Sequence, residues 1–217
     1  MHQTKHVPLT HPERPTLVMA SLFVIWTLLV SSSSPLIRLF DQTIIHFLDS
    51  HQTQGLIQFT RAITDVGSPK SATFLTILGV FILLAYRHFP EATFMALTMM
   101  VGNGYSWLLK QLVQRPRPSV QHLAYAGGYS FPSGHSIGSA SLYGCLFIIF
   151  LILIRRPLWR RLLCGICLFM PLLIGYTRIY LHVHFPSDVL GGWLEGILFV
   201  LIGYCLLYYL SLAKHSR

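Results

Sequence analysis

Three short segments combine residue types that can move a phosphoryl group or bind an anion. The first is KQLVQRPRP, Lys110 to Pro118. It ends an apolar run with an ammonium, and its prolines stop a helix and stiffen the chain that carries Arg115 and Arg117. A guanidinium fork matches phosphate oxygens, while a lysine supplies a compact charge. The second is SFPSGHS, Ser130 to Ser136, a turn leading into an apolar run. There the N–H groups of a new helix, including that of Gly134, form a ready anion site. Ser133 adds a hydroxyl, and His135 can donate or accept a proton near neutral pH. The third is TRIYLHVHFPSD, Thr177 to Asp188. Arg178 can bind an anion, and His184 stands four residues before Asp188, one turn if the chain is helical. A carboxylate beside a histidine orients the ring and raises its basicity.

Each segment also has an ordinary explanation. Lys110 and its neighbours can snorkel at a helix end, Ser133 can cap a helix, and the third segment can be the polar cap of two membrane helices. His182, His184 and Asp188 also suggest zinc, but no further ligand cluster shares their loop and HExxH is absent. No metal and no cofactor are therefore expected. What sets the three segments apart is their joint supply of cations, helix-end N–H groups, hydroxyls, histidines and a carboxylate. Those are the needs of phosphoryl transfer: charge clamping, a nucleophile and an acid for the leaving group.

The elements that must hold them are membrane helices. The chain is 53% hydrophobic and only 11% charged, with mean hydropathy +0.57; a soluble domain carries about a quarter charged residues. With a span needing roughly 20 apolar residues, six spans are predicted, at about 16–35, 71–88, 91–110, 136–154, 162–178 and 189–210. The expected fold is all-α: a six-transmembrane-helix bundle forming a single domain over 1–217. The first span, after a basic start, is taken as a retained helix rather than a cleaved leader. Between spans one and two, residues 41–66 have apolar positions at helical spacing, predicting short amphipathic helices on the membrane surface that act as a lid or a connector. Cys164 and Cys167 form a CxxC inside an apolar run without polar company, so packing is the expected role. Glu195 lies seven residues after Asp188, about 10 Å deeper along the same helical face. It is expected to bond Ser139 or Tyr143, or to be protonated in a polar interior.

Arg155, Arg156, Arg160 and Arg161 mark the loop between spans four and five as cytoplasmic. Both termini are then cytoplasmic, and all three segments lie in the two outer loops joining spans three to four and five to six. Nine of the 16 Lys and Arg residues fall inside and seven outside. Lys110, Arg115, Arg117 and Arg178 are among the latter, where an anionic substrate explains them better than topology does. The formal charge of +9 and its scatter over short loops favour membrane lipids and an anionic substrate, and speak against nucleic acid.

The spaced residues Lys110-x6-Arg117-Pro118, Pro132-Ser133-Gly134-His135 and Thr177-Arg178-x5-His184-x3-Asp188 resemble the three signature motifs of the type 2 phosphatidic acid phosphatase family, in order and internal spacing. Arg115-Pro116 stands too close to Lys110 to be the motif pair. Thr177 replaces the usual serine. The resemblance implies a metal-independent membrane phosphatase acting on lipid phosphates. In it His184 is the nucleophile that forms a phosphohistidine, Asp188 orients it, and His135 is the general acid. It also implies that Lys110, Arg117, Ser133, Gly134 and Arg178, with Thr177, hold the phosphate, while His182 is a bystander. Undecaprenyl diphosphate is the expected substrate, with phosphatidylglycerophosphate and phosphatidic acid as alternatives. The small size and lack of an N-glycosylation sequon suit a bacterial cell membrane. A lipid-binding or transport protein is the alternative of another class. It fits less well, because Glu195 and Asn103 are nearly the whole of the polar content at mid-membrane depth.

Overall fold

A computed structural model describes residues 11–215, and the side chains up to 209. The described residues form eight helices and no strands: α1 (Glu13–Ser31), α2 (Pro35–Asp49), α3 (Gln54–Val66), α4 (Pro69–Ala85), α5 (Phe89–Val113), α6 (Gly134–Leu153), α7 (Pro157–Tyr180) and α8 (Pro186–His215). Local chemistry sets many of their starts. The Ser34, Thr53 and Ser68 side chains accept from the backbone N–H groups of Leu36, Leu56 and Ser71, caps worth about 1 kcal/mol each. Proline stands in the first turn of α2, α4, α5 and α7, where its missing N–H costs nothing.

The expected all-helical membrane bundle is present, while length and apolarity alone pick out fewer than the six expected spans among the described helices. Four helices, α1, α6, α7 and α8, are long and apolar enough to cross a membrane, and a fifth span results if α3 and α4, bent by 42°, count as one. The 17 residues of α4 fall short alone. Helix α5 is 25 residues long, but Gly102, Asn103, Gly104 and Ser106 dilute its apolar character. Large exposed apolar side chains such as Leu17, Phe74, Phe81, Leu158 and Phe169 clothe the bundle as lipid would require. The chain is a multi-pass membrane protein. Its terminal residues, with Lys5 and Arg217, lie outside the described ones.

Helix α6 sits at the centre, packed against α5, α7 and α8. Its approach to α8 depends on glycine: a Cβ on Gly192 would lie 2.8 Å from the Ser133 carbonyl oxygen, and one on Gly196 would lie 3.0 Å from the Ser141 nitrogen. One apolar core joins Met95 and Met99 of α5, Leu142 and Cys145 of α6, and Tyr204 of α8. A second gathers Phe23, Ile37, Leu109 and Phe131. All four cysteines are free, and Cys164 and Cys167 are buried in helix packing.

The amphipathic stretch forms two helices as expected, α2 and α3, with polar residues buried and large apolar ones exposed. Asp41, Thr60 and Thr64 are buried, whereas Leu36, Leu39, Phe47 and Phe59 are exposed. The two helices turn their polar sides to α7 and α8. In a lipid setting an apolar side chain is the cheap one to leave outside, and polar groups need protein partners.

Candidate active site

The ends of α5, α6, α7 and α8 that carry the three segments converge at one end of the bundle. Lys110 is in the last turn of α5, and Arg178 is in the last turn of α7. Ser133 and Gly134 open α6. His184 lies in the short turn between α7 and α8, and Asp188 is in the first turn of α8.

His184 and Asp188 are only 2% and 0% exposed. The ring Nδ1 faces Asp188 Oδ2 at 3.5 Å and Ser130 Oγ at 3.4 Å. Ser130 Oγ donates to the same Oδ2, so its lone pair is left to face Nδ1–H. The other ring nitrogen, Nε2, lies 3.1 Å from Arg117 Nη1. A guanidinium only donates, so Nε2 accepts and the proton resides on Nδ1. Such a tautomer holds a lone pair on Nε2, directed toward a cation. Burial, reinforced by Arg117 and Lys110, pushes the His184 pKa down to about 3, against the opposing pull of Asp188. The imidazole is neutral at physiological pH.

The cations divide into two kinds. Lys110 Nζ donates to the Tyr129 and Pro132 carbonyls at 3.0 and 2.5 Å. Arg117 donates to the carbonyls of Gly127, Gly128 and Val183, and burial lowers its pKa. Arg178 Nη1 donates to Thr64 Oγ1 at 2.7 Å, while its buried Nε has no hydrogen-bond partner. Among the described residues none of these three meets a carboxylate within ion-pair distance. Arg115, two residues before Arg117, meets two: Asp188 at 2.6 Å and Asp41 at 2.8 Å.

His135 has Arg178, His184, Arg117 and Lys110 as its electrostatic neighbours, which brings it to the same cluster. Ser133 makes no capping bond with its side chain and accepts from Ser136 Oγ at 2.9 Å. The space beside the Gly134 Cα is open. Thr177 stands apart from the predicted set, because its hydroxyl donates to Ile174 O at 2.7 Å. With its proton committed to its own helix, it is not poised to donate to an anion.

The two histidines of HVH diverge. His182 pairs with Asp49 at 2.7 Å, at the end of α2, while His184 turns inward. Among the described residues no group of three or more His, Cys, Asp or Glu is arranged to hold a metal. Glu195 does not bond Ser139 or Tyr143 as expected: both its oxygens are without partners, and Ser139 Oγ donates to Ser136 O. Sequence reasoning missed Asp41, Thr64, Ser130 and the ion pairs of Arg115. An Asp or Thr on the polar side of an amphipathic helix is ordinary in sequence, so only the RPRP repeat of arginines hinted at a second role.

These features define an all-helical, multi-pass membrane protein that gathers three cations without a carboxylate in ion-pair distance, together with a buried histidine, at one end of its bundle. The chain belongs to the PAP2 superfamily, whose family model matches residues 91–212. Phosphatidylglycerophosphatase B of Bacillus subtilis is 32% identical over 142 residues, covering 63% of this chain and 68% of that protein. Undecaprenyl-diphosphatase BcrC of Bacillus subtilis is 26% identical over 129 residues, covering 57% of this chain and 62% of that one. Among the curated relatives it matches, the chain spans as little as 46% of the relative's length. The crystal structure of a transmembrane PAP2-type phosphatidylglycerolphosphate phosphatase from Bacillus subtilis shares the fold, with TM-score 0.79 and 23% identity over 88% of this chain and 94% of that one.

Proposed function

We propose that the chain is an integral-membrane phosphatase that removes the terminal phosphate of a lipid phosphate or diphosphate through a phosphohistidine. The observation that carries this reading is the set of three cations without a carboxylate in ion-pair distance, Lys110, Arg117 and Arg178, with Arg117 set against the Nε2 lone pair of His184. A site that leaves positive charge unneutralised in a buried setting is built for an anion.

His184 Nε2 attacks phosphorus while the bond from phosphorus to the lipid oxygen breaks, and His135 delivers the proton that this oxygen takes. The resulting phosphoimidazole carries its positive charge beside Asp188, to which Nδ1–H remains directed. Water then attacks phosphorus, His135 takes its proton, and the nitrogen–phosphorus bond breaks to release phosphate and neutral His184. Lys110, Arg117 and Arg178 with the Gly134 N–H bear the growing charge on the phosphoryl oxygens, and Ser133 supports that helix end. No step calls on a metal, so activity is expected to survive chelation.

Undecaprenyl diphosphate is the substrate we propose. The undecaprenyl-diphosphatase relative supports it, as does a lipid-clothed bundle that a long tail can approach sideways. Phosphatidylglycerophosphate is the second reading, favoured by the 32% identity to phosphatidylglycerophosphatase B. In a bacterial cell membrane the site would face outward and both termini the cytoplasm, supported by the four arginines at the opposite loop. The test is phosphate release by the purified protein from undecaprenyl diphosphate, phosphatidylglycerophosphate and phosphatidic acid, with and without EDTA. Release from at least one lipid that persists with EDTA is expected. No release from any lipid would overturn the reading, and release abolished by EDTA would overturn its metal-free mechanism.

A further inference from the structure

The ion pairs of Arg115 reach beyond the matched family segment. Asp41 belongs to α2, outside residues 91–212, yet it is 3% exposed and points into the dyad's support. Its Oδ2 accepts from Arg115 Nη2 at 2.8 Å and from Ser187 Oγ at 2.7 Å, and its Oδ1 accepts from the Ser187 backbone N–H at 2.8 Å. Arg115 Nη1 in turn donates to Asp188 Oδ1 at 2.6 Å and to Ser187 Oγ at 2.7 Å. The same guanidinium lies 4.3 Å from the centre of the Phe185 ring, the residue that follows His184. Trp26 Nε1 of α1 donates to Ser187 O at 3.0 Å.

Asp188 therefore has a divided task. Its Oδ2 takes Ser130 Oγ and the Phe185 N–H and faces His184, while its Oδ1 is held by Arg115 alone. An arginine bound to a single carboxylate would draw its charge away from the histidine. A second carboxylate on the other arm shares the guanidinium and fixes its plane.

We propose that Asp41 is a positioning residue for the Asp188–His184 dyad: through Arg115 and Ser187 it fixes the Asp188 carboxylate and balances the arginine's charge. The phosphate clamp is untouched by this device, since Lys110, Arg117 and Arg178 share no bond with Asp41. The inference rests on the phosphatase reading. It adds a contribution to turnover from a helix that precedes the family segment.

The experiment uses the full chain, purified in detergent, with phosphate release from a lipid phosphate as the assay. Asp41→Asn keeps the shape and removes the charge. Its kcat is expected to fall roughly tenfold to hundredfold, the scale of a slightly misplaced catalytic group. KM and inhibition by inorganic phosphate stay within about twofold of wild type, because the clamp is intact. Asp41→Glu, which restores the charge, is expected to recover part of the loss. Adding Arg115→Lys to Asp41→Asn should cost little more than the worse single change, since the two residues act as one unit. Elution volume and thermal midpoint identify any variant that fails to fold, and the Glu and Lys variants then carry the test. A kcat within twofold of wild type in Asp41→Asn overturns the proposal. So does a loss in which KM and phosphate inhibition weaken along with kcat, because damage to the clamp would then explain it. An active wild type with either result leaves the phosphatase reading standing. A wild type inactive on every lipid removes that reading and this inference together.

Discussion

Two sides of the site treat charge in opposite ways. On the side of Lys110, Arg117 and Arg178, cations meet carbonyls, a hydroxyl and a neutral imidazole. On the side of α2, charges are matched: Asp41 and Asp188 hold Arg115, and Asp49 holds His182. Arg115 and Arg117 are separated by one proline and share a loop, yet they belong to different sides. Leaving a buried cation unneutralised costs free energy that only an anionic ligand recovers, whereas a neutralised cation is a structural part. Charge partnership therefore sorts the two arginines as the motif spacing does, and supplies the physical reason.

The strongest way to break that contrast is His184→Ala, which is expected to abolish turnover, a loss of at least about a thousandfold, measured as phosphate release from a lipid phosphate. Survival of substantial activity would remove the nucleophile. Next, Arg178→Ala and Lys110→Ala should each lower kcat by about a hundredfold to a thousandfold, as losing one oxyanion donor does. Unlike Asp41→Asn, both should also weaken inhibition by inorganic phosphate. If all three variants behaved alike, the two sides would not be distinct.

A pH measurement sharpens the contrast further. His184 is held near pKa 3 in the folded chain, against about 6.5 when unfolded. Between those values the unfolded state binds the extra proton, so the contribution of His184 makes stability rise with pH across that window and level off above it. Its slope is at most about 1.4 kcal/mol per pH unit. His184→Gln removes that term, so its thermal midpoint should drop less than wild type's between pH 7 and pH 4.5. The smallest effect is expected from His182→Ala. Its pair with the half-exposed Asp49 is worth at most about 1 kcal/mol, so activity should stay within about fivefold. A loss comparable to that of His184→Ala would show that the His182–Asp49 pair shares in the chemistry.

Much of this was legible before any coordinates. Helical periodicity announced the amphipathic pair, and the spacing of Lys110, Arg117, Ser133, His135, Arg178, His184 and Asp188 brought one site to mind from three distant segments. The span count was less legible, because hydropathy does not see helix ends: α4 runs for only 17 residues, and α5 mixes apolar residues with glycine and asparagine. The orientation of residues 41–66 was hidden for a related reason. Periodicity reports that a helix has two faces, not which one meets the protein.

The spacing of seven reactive residues and the long apolar runs around them are properties of the chain itself, and they were enough to predict a membrane protein with one candidate site for an anion. Partnership was not. Whether an arginine meets a carboxylate and which ring nitrogen of His184 carries the proton depend on groups up to 74 residues apart, as Arg115 and Asp41 are. Such contacts are set by helix packing, where Gly192 and Gly196 let α8 close on α6 and the polar side of α2 finds its partners away from lipid. The tertiary structure alone decided how those charges are partnered.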